Sequence, residues 1–395
     1  MQKSGPQYHD AKRPRWLGWA GRALACASLA VTLLNTAAHA ETGISSDEIL
    51  LGQSTPLSGP LAELGQDLST AAKAYFDYVN LQGGINGRKI RLLTLDDGYS
   101  TDKVQENART LIEKDKVFAL FNVFGTPGNS AILPLIARAG IPSIAPYTGS
   151  EAVRKPLNPL VFNIRAGYAD ETETIINHLG VRGISKVAVV YQNNAFGKDG
   201  LNSVVQALSR RQLKIHASAA IENDASNAEQ AARTLAQSEP KAILMVTAGK
   251  PSAAFIKAYD KLAPGMQFFA LSVMGSAASV EALGKEGAGV VVSQVMPFPF
   301  SATSDIVREY QQVMSKMGIK VWSFASIEGF INAKVTVEGL KHAGRDLSRD
   351  KFVAALEGMG KVNHGGYVVN FSKTNHQGSP YVELTVITKN GRFLR

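Results

Sequence analysis

Two short segments hold the residues whose types suit chemistry: Gly125-Thr126-Pro127-Gly128-Asn129 and Pro146-Tyr147-Thr148-Gly149-Ser150. Each follows an apolar, β-rich run, 117–124 and 141–145, and the first leads into helical spacing from Ser130 to Arg138. In a parallel sheet both would leave the carboxyl ends of strands, where open α/β sheets take their ligands. The free N–H groups and positive dipole end of a helix start suit an anion such as a carboxylate. Thr126 adds a hydroxyl. The chemistry indicated is anion binding. An ordinary βα turn punctuated by glycines fits these residues equally well.

Catalysis and metal binding have no comparable footing. The only cysteine, Cys26, lies within the first forty residues, and there is no Gly-x-Ser-x-Gly elbow and no His-Glu-x-x-His. A Ser/His/Asp triad assembled across the fold stays open, though nothing points to one. Asp96-Asp97-Gly98 lacks the spaced acids of a calcium loop and reads as a strand-ending turn. Gly358-Met359-Gly360-Lys361 lacks the Ser/Thr and spacing of a phosphate loop. His178, His216, His342, His364 and His376 are scattered without ligand spacing. The expectation is a binding protein, not an enzyme, with no cofactor and no metal.

The elements that position the two segments follow a leader. Lys3, Lys12, Arg13, Arg15 and Arg22 accompany one acid, Asp10; Ala23–Leu34 is apolar; Ala38-His39-Ala40 is a small-x-small cleavage site. That is the pattern of a secretory signal peptide over 1–40. This 12-residue run falls short of the about 20 that span a bilayer. Ala23 rather than leucine stands three before Cys26, which argues against lipidation. Removing the leader leaves 355 of 395 residues, lowers the formal charge from +9 to +5 and leaves no cysteine. Such a chain is long enough to be held by its core alone, and two domains are expected. The mixed charge, without a basic run, argues against nucleic acid. Export follows from the leader.

From residue 49 the chain alternates strand and helix. Strands at 49–53 and 89–95 and helices at 65–81 and 101–114 join the opening segments into βαβ units, hence a largely parallel sheet. A second series runs from 161 to 295, with strands at 187–191, 214–220, 242–246, 268–271 and 290–295. Met296-Pro297-Phe298-Pro299-Phe300 is a stiff extended link, and 302–358 is mostly helical. It has too few strands for a third domain and is expected to return to the first. Strands at 365–371 and 381–387 read as a hairpin. The expected organisation is a first lobe of 45–165 and 299–360 and a second of 166–298 and 361–395, joined by hinge strands across a cleft. That geometry suits closure on a small ligand.

Ser-Thr-Pro-Leu-Ser-Gly-Pro at 54–60, Asn-Leu-Gln-Gly-Gly-Ile-Asn-Gly at 80–87, Leu-Asp-Asp at 95–97, Ile-Pro-Ser-Ile-Ala-Pro at 141–146, Tyr-Gln-Asn-Asn-Ala-Phe-Gly at 191–197 and Gly-Arg-Phe at 391–393 occur in this order. Together they resemble the leucine/isoleucine/valine-type periplasmic binding proteins of ABC importers, over essentially all of 45–395. The resemblance implies an α/β fold of two Rossmann-like lobes, the type I periplasmic binding protein fold. It implies a monomer that takes a small molecule, a branched-chain or other amino acid first and an aromatic or aliphatic carboxylic acid next, and hands it to an ABC transporter permease in the inner membrane. The same fold serves amide receptors, aromatic-acid receptors and sensory ectodomains.

By the same resemblance, Gly125 and Thr126 meet the ligand carboxylate, as do Tyr147, Thr148 and Gly149. Leu64 lies over the ligand, where relatives often have an aromatic residue. In the second lobe Phe196 is a lid, Tyr168 closes from the crossing point, and Gly249 follows a strand beside Thr247 and Ala248. Leucine-type members place an acid for the ligand ammonium where this chain has Ser272. Either Asp170 or another acid replaces it, or the ligand has no amino group, because an unpaired buried ammonium is costly. The family's paired cysteines are absent, and Tyr99 and Gly125 lie near their places.

Overall fold

Glu48–Thr55 (β1) is buried along seven of its eight residues, as a central parallel strand covered on both faces must be. It pairs in parallel with Lys89–Asp96 (β2) on one side and Ala119–Phe121 (β3) on the other. Ser143–Ile144 (β4) and Val161–Phe162 (β5) extend the sheet in the order β2-β1-β3-β4-β5. The computed structural model describes residues 1–7, 9, 41–320 and 322–395. The leader's apolar run and its cleavage site lie outside the described residues, and residues 41–395 form a compact unit of their own.

The second sheet has seven strands: Val187–Gln192 (β6), Ala217–Ile221 (β7), Ala242–Val246 (β8), Phe268–Ala270 (β9), Val291–Gln294 (β10), Glu383–Ile387 (β13) and Phe393–Leu394 (β14). Their order is β14-β13-β10-β9-β8-β6-β7, parallel from β10 to β7 and antiparallel at β13 and β14. Within this sheet β7-β6-β8-β9-β10 repeats the order of the first. Each lobe therefore reverses strand order once, between β1 and β3 and between β6 and β8. Ligand crevices open at such reversals.

In the first lobe, helices Ala62–Leu81 (α1) and Phe324–Ala343 (α10) pack face to face. Fifteen residues of α10 are buried, so it is enclosed around most of its surface. A methyl group at Gly329 would strike the Leu68 carbonyl, so only glycine lets the two helices approach this closely. Between these two helices in sequence lie Thr101–Arg109 (α2), Thr126–Ala139 (α3), Tyr168–Val181 (α4), Ala195–Ser209 (α5), Ala228–Ala236 (α6), Lys250–Asp260 (α7), Ala277–Leu283 (α8) and Asp305–Lys316 (α9); Arg349–Gly358 (α11) follows. The chain passes between the sheets after β5, after β10 and before β13.

One expected pairing is not formed. Residues 365–371 do not make a hairpin with 381–387. Instead Val368–Phe371 (β12) pairs antiparallel with Gly360–Asn363 (β11), and β13 joins β10. Gly365 and Gly366, with φ of +76° and +108°, form the turn of the ribbon rather than the start of a strand. Tyr367, Val369 and Phe371 then pack into the first lobe's core beside Phe162 and Ile164.

Candidate functional site

Segments at the carboxyl ends of both sheets, the loops at the two strand-order reversals among them, surround a cavity of about 20 Å³. Leu61, Leu64, Gly125, Thr126 and Tyr147 contribute from the first lobe, and Tyr168, Phe196, Ala248 and Val273 from the second. The space holds about one water molecule. The side chains of both lobes make one apolar cluster here, so the cleft is closed.

The segment after β3 begins α3 at Thr126, four residues before the helical spacing suggests. Gly125 caps it at φ +84°, and a methyl group there would lie 2.6 Å from the Tyr99 ring. Glycine is required on both counts. The places where the resemblance puts a missing cysteine pair are thus neighbours, and the Tyr99 ring fills them. Asn129 Nδ2 donates to the Val123 and Gly125 carbonyls at 2.8 Å each, which fixes the loop ahead of the helix. Of the first-turn residues of α3, Pro127 has no N–H, and Thr126 and Gly128 supply the amides without a partner in the preceding turn.

Three hydroxyls converge on this helix start. Thr126 Oγ1 lies 2.7 Å from Thr148 Oγ1 and 3.5 Å from the Tyr168 hydroxyl, and Thr148 Oγ1 lies 3.4 Å from the same hydroxyl. Thr148 also accepts from the Ser150 amide at 3.1 Å. Burial raises the Tyr168 pKa, which keeps the phenol a neutral donor. Around the hydroxyls the walls are aromatic. Tyr147 stacks on Phe124 at 4.7 Å, and Tyr168 meets Phe196 edge-on at 5.4 Å. Helix dipole, amides and hydroxyls suit a carboxylate, and the rings suit an apolar body.

Below Tyr147 is a charged group that the sequence reading did not single out. Arg165, 1% exposed, lies 4.8 Å from the Tyr147 ring centre. Its guanidinium reaches Glu328 of the first lobe at 3.4 Å and Glu171 of the second at 3.6 Å, and donates to Ser272. Burial works to lower the Arg165 pKa, but its acidic neighbours, Glu328 first and Glu171 with it, outweigh it and raise it. Burial pushes Glu328 up to about 7, with Arg165 opposing and Glu171 assisting. Glu171 is also raised by burial, against Arg165 and three hydrogen bonds. Those bonds come from the Ser272 amide at 2.7 Å, its hydroxyl at 3.1 Å and the Ser293 hydroxyl at 2.6 Å. Nearby, Arg154 donates to the carbonyls of Thr148, Arg165 and Ala166 at 3.0–3.3 Å, tying the crossing segment to the loop.

Of the residues expected at the site, Leu64, Gly125, Thr126, Tyr147, Tyr168 and Phe196 line the cavity, and Thr148 stands in the hydroxyl group. Neither Thr148 nor the remaining three line it. Gly149 acts through its backbone: its carbonyl accepts from the Tyr168 amide at 2.7 Å, and a methyl group there would lie 2.5 Å from that ring. Gly249 turns outward into a surface groove beside Pro60, leaving Ala248 at the cavity. Ser272 serves Glu171 and Arg165, and Val273 is the residue that faces in. Asp170 does not stand in for the missing acid, since its carboxylate accepts from Gly167 N–H at 2.8 Å and caps its own helix. Tyr99, Phe124, Leu61 and Val273 are cavity residues that the reading did not place there, and Ala248 lines it from the segment that the reading offered. Among the described residues there is no cluster of three or more His, Cys, Asp or Glu that could hold a metal, and no helix long and apolar enough to cross a membrane.

A family model described as periplasmic binding protein matches residues 48–392. The chain belongs to the periplasmic binding protein family. It is 21% identical to Leu/Ile/Val-binding protein homolog 8 of Brucella suis over 90% of this chain and 91% of that one. An amino acid binding protein of Pseudomonas aeruginosa is 26% identical over 40% of this chain, and the match takes in 43% of that relative's length. The crystal structure of a substrate-binding periplasmic protein from Ralstonia solanacearum superposes with a TM-score of 0.81 at 31% identity, covering 88% of this chain and 99% of that one. The two-lobed α/β architecture is thus that of the type I periplasmic binding proteins, and the family and its neighbours are substrate-binding proteins.

Proposed function

We propose that this periplasmic binding protein is exported by its leader, closes on a small carboxylate-bearing solute between its lobes, and delivers it to an ABC importer in the inner membrane. The three hydroxyls at the start of α3, inside the cleft, carry this reading. The closed cavity of about 20 Å³ is smaller than any such solute, so binding begins from parted lobes. Parting them breaks few polar contacts. The Ala278 amide donates to Glu63 at 2.6 Å on one side, and the Glu151 amide to Asp199 at 3.1 Å on the other.

Of the two solute classes that the sequence leaves open, the geometry favours an acid without an amino group over a branched-chain amino acid. No carboxylate lines the cavity. Glu171, the acid held by Ser272, already accepts three hydrogen bonds and faces Arg165. An ammonium would be desolvated with no partner. A thermal-shift comparison of 4-methylpentanoate with leucine, and of 3-phenylpropionate with phenylalanine, tests this after unfolding and refolding to strip retained ligand. A solute at 100 times its dissociation constant adds about 2.7 kcal/mol, which shifts the midpoint by several degrees. The amine-free acid of a pair should give the larger shift. A larger shift with the amino acids overturns the choice of class, and no shift with either pair overturns the carboxylate reading.

A further inference from the structure

A second cavity, of about 490 Å³, lies outside the cleft. Its volume falls within the about 300–1,000 Å³ typical of small-molecule sites. Val280 of α8, Phe298 and Phe300 of the crossing segment, Trp322 ahead of α10, and Phe393 and Leu394 of β14 form its walls. The rings brace one another edge to face: Phe298 to Phe300 at 5.2 Å, Phe300 to Phe324 at 5.9 Å and Phe324 to Phe393 at 5.4 Å. This wall is pre-formed, yet Phe300 stays 44% and Leu394 54% exposed. Apolar surface gathered in a concavity in this way marks a binding site. The one cation of the lining, Arg392, has no carboxylate partner among the described residues, while its neighbour Arg395 pairs with Glu383 at 3.0 Å.

We propose that this cavity is a second binding site, for a small amphipathic acid whose apolar body lies on the Phe300–Trp322 wall and whose anionic group meets Arg392. The site is separate from the hydroxyl group in the cleft and does not depend on which solute binds there. It is placed to influence closure. Val280 belongs to the short helix whose Ala278 amide meets Glu63 across the cleft. Trp322 adjoins Ser323, whose hydroxyl donates to Asp67 of α1 at 2.6 Å. An occupant touching Val280 and Trp322 together favours the closed arrangement.

Trp322 is the sole tryptophan after residue 40, so the unit 41–395 reports on its own wall. The probe is 8-anilinonaphthalene-1-sulfonate, an aromatic body with an anionic group, followed by dye emission on exciting Trp322. The expected result is saturable binding of one dye per chain, displaced by decanoate and retained in Thr126→Ala. Placing a charge on the apolar wall, in Phe300→Asp, should weaken it by about tenfold or more. Arg392→Gln, at an exposed position that does not threaten folding, should weaken it by about threefold or more. Circular dichroism and melting establish that Phe300→Asp is folded; if it is not, Arg392→Gln decides. Non-saturable uptake, loss of binding in Thr126→Ala, or affinity unchanged in Arg392→Gln overturns the proposal.

Discussion

The two lobes share one strand order and present the same reversal to the cleft, yet they bring different chemistry to it. From the first lobe come a helix start, the Gly125 turn and the hydroxyls of Thr126 and Thr148. The second lobe contributes Phe196, Ala248 and Val273, which are apolar, and Tyr168, whose hydroxyl joins from a longer distance. Topology therefore places a crevice in each lobe, and residue choice divides the work between them. On the proposed reading the first lobe holds a polar head, and the second covers an apolar body. Between them Arg165 faces Glu328 on one side and Glu171 on the other, belonging fully to neither.

That division can be broken or sharpened experimentally. The largest effect is expected where the lobes meet. Arg165→Met leaves two buried carboxylates without their cation and should cost about 3–5 kcal/mol of stability, read from denaturant unfolding; a cost below about 1 kcal/mol would show that the carboxylates are neutral without it. The pH dependence of Glu328 comes next. Unfolded, it ionises near 4.5, and folded near 7. Its contribution to stability is therefore full below pH 4.5, declines between 4.5 and 7 as the unfolded chain releases the proton first, and is constant above. The decline is on the order of 3 kcal/mol. Glu328→Gln should remove that slope from a series of melts across pH 4–8, and an unchanged slope would assign it to other groups.

Smaller effects separate the polar lobe from the apolar one. Thr126→Ala should weaken carboxylate binding by roughly 1–3 kcal/mol in calorimetric titration. Tyr168→Phe, which removes a hydroxyl 3.4–3.5 Å from its neighbours, should cost less. The reverse order would mean that the second lobe reads the head group. Smallest is Glu63→Gln, which weakens one partly exposed contact across the cleft. A loss of at most about 1 kcal/mol in affinity is expected, appearing as faster dissociation.

Much of this arrangement is written locally in the chain. Apolar β-rich runs closed by Asn, Gly and Pro give the strands, and the Gly125-Thr126-Pro127 sequence gives the helix start. Six of the ten residues expected at the site do line the cavity because loops leaving strand ends can be located from such punctuation. The misses have two physical sources. Gly249 and Ser272 are each off by one, since the turn of the backbone selects which of two adjacent side chains faces inward. Arg165, Glu171, Ser272 and Glu328 are brought together over separations of up to 163 residues, and no local pattern carries such pairing. What signal there was lay in single charges within apolar surroundings: Arg165 in Val-Phe-Asn-Ile-Arg-Ala and Glu328 in Phe-Ala-Ser-Ile-Glu-Gly-Phe-Ile. The hairpin error has a similar cause, because the partner of 383–387 is β10, far upstream.

The buried guanidinium of Arg165 also constrains how the halves can move. With one carboxylate on each side and hardly any water in reach, neither arm can be released without stranding a charge in a dry interior. In the proposed opening the halves therefore swing about that cation, as a door swings on its pin. The rim of the cleft travels furthest, and the bearing stays shut throughout.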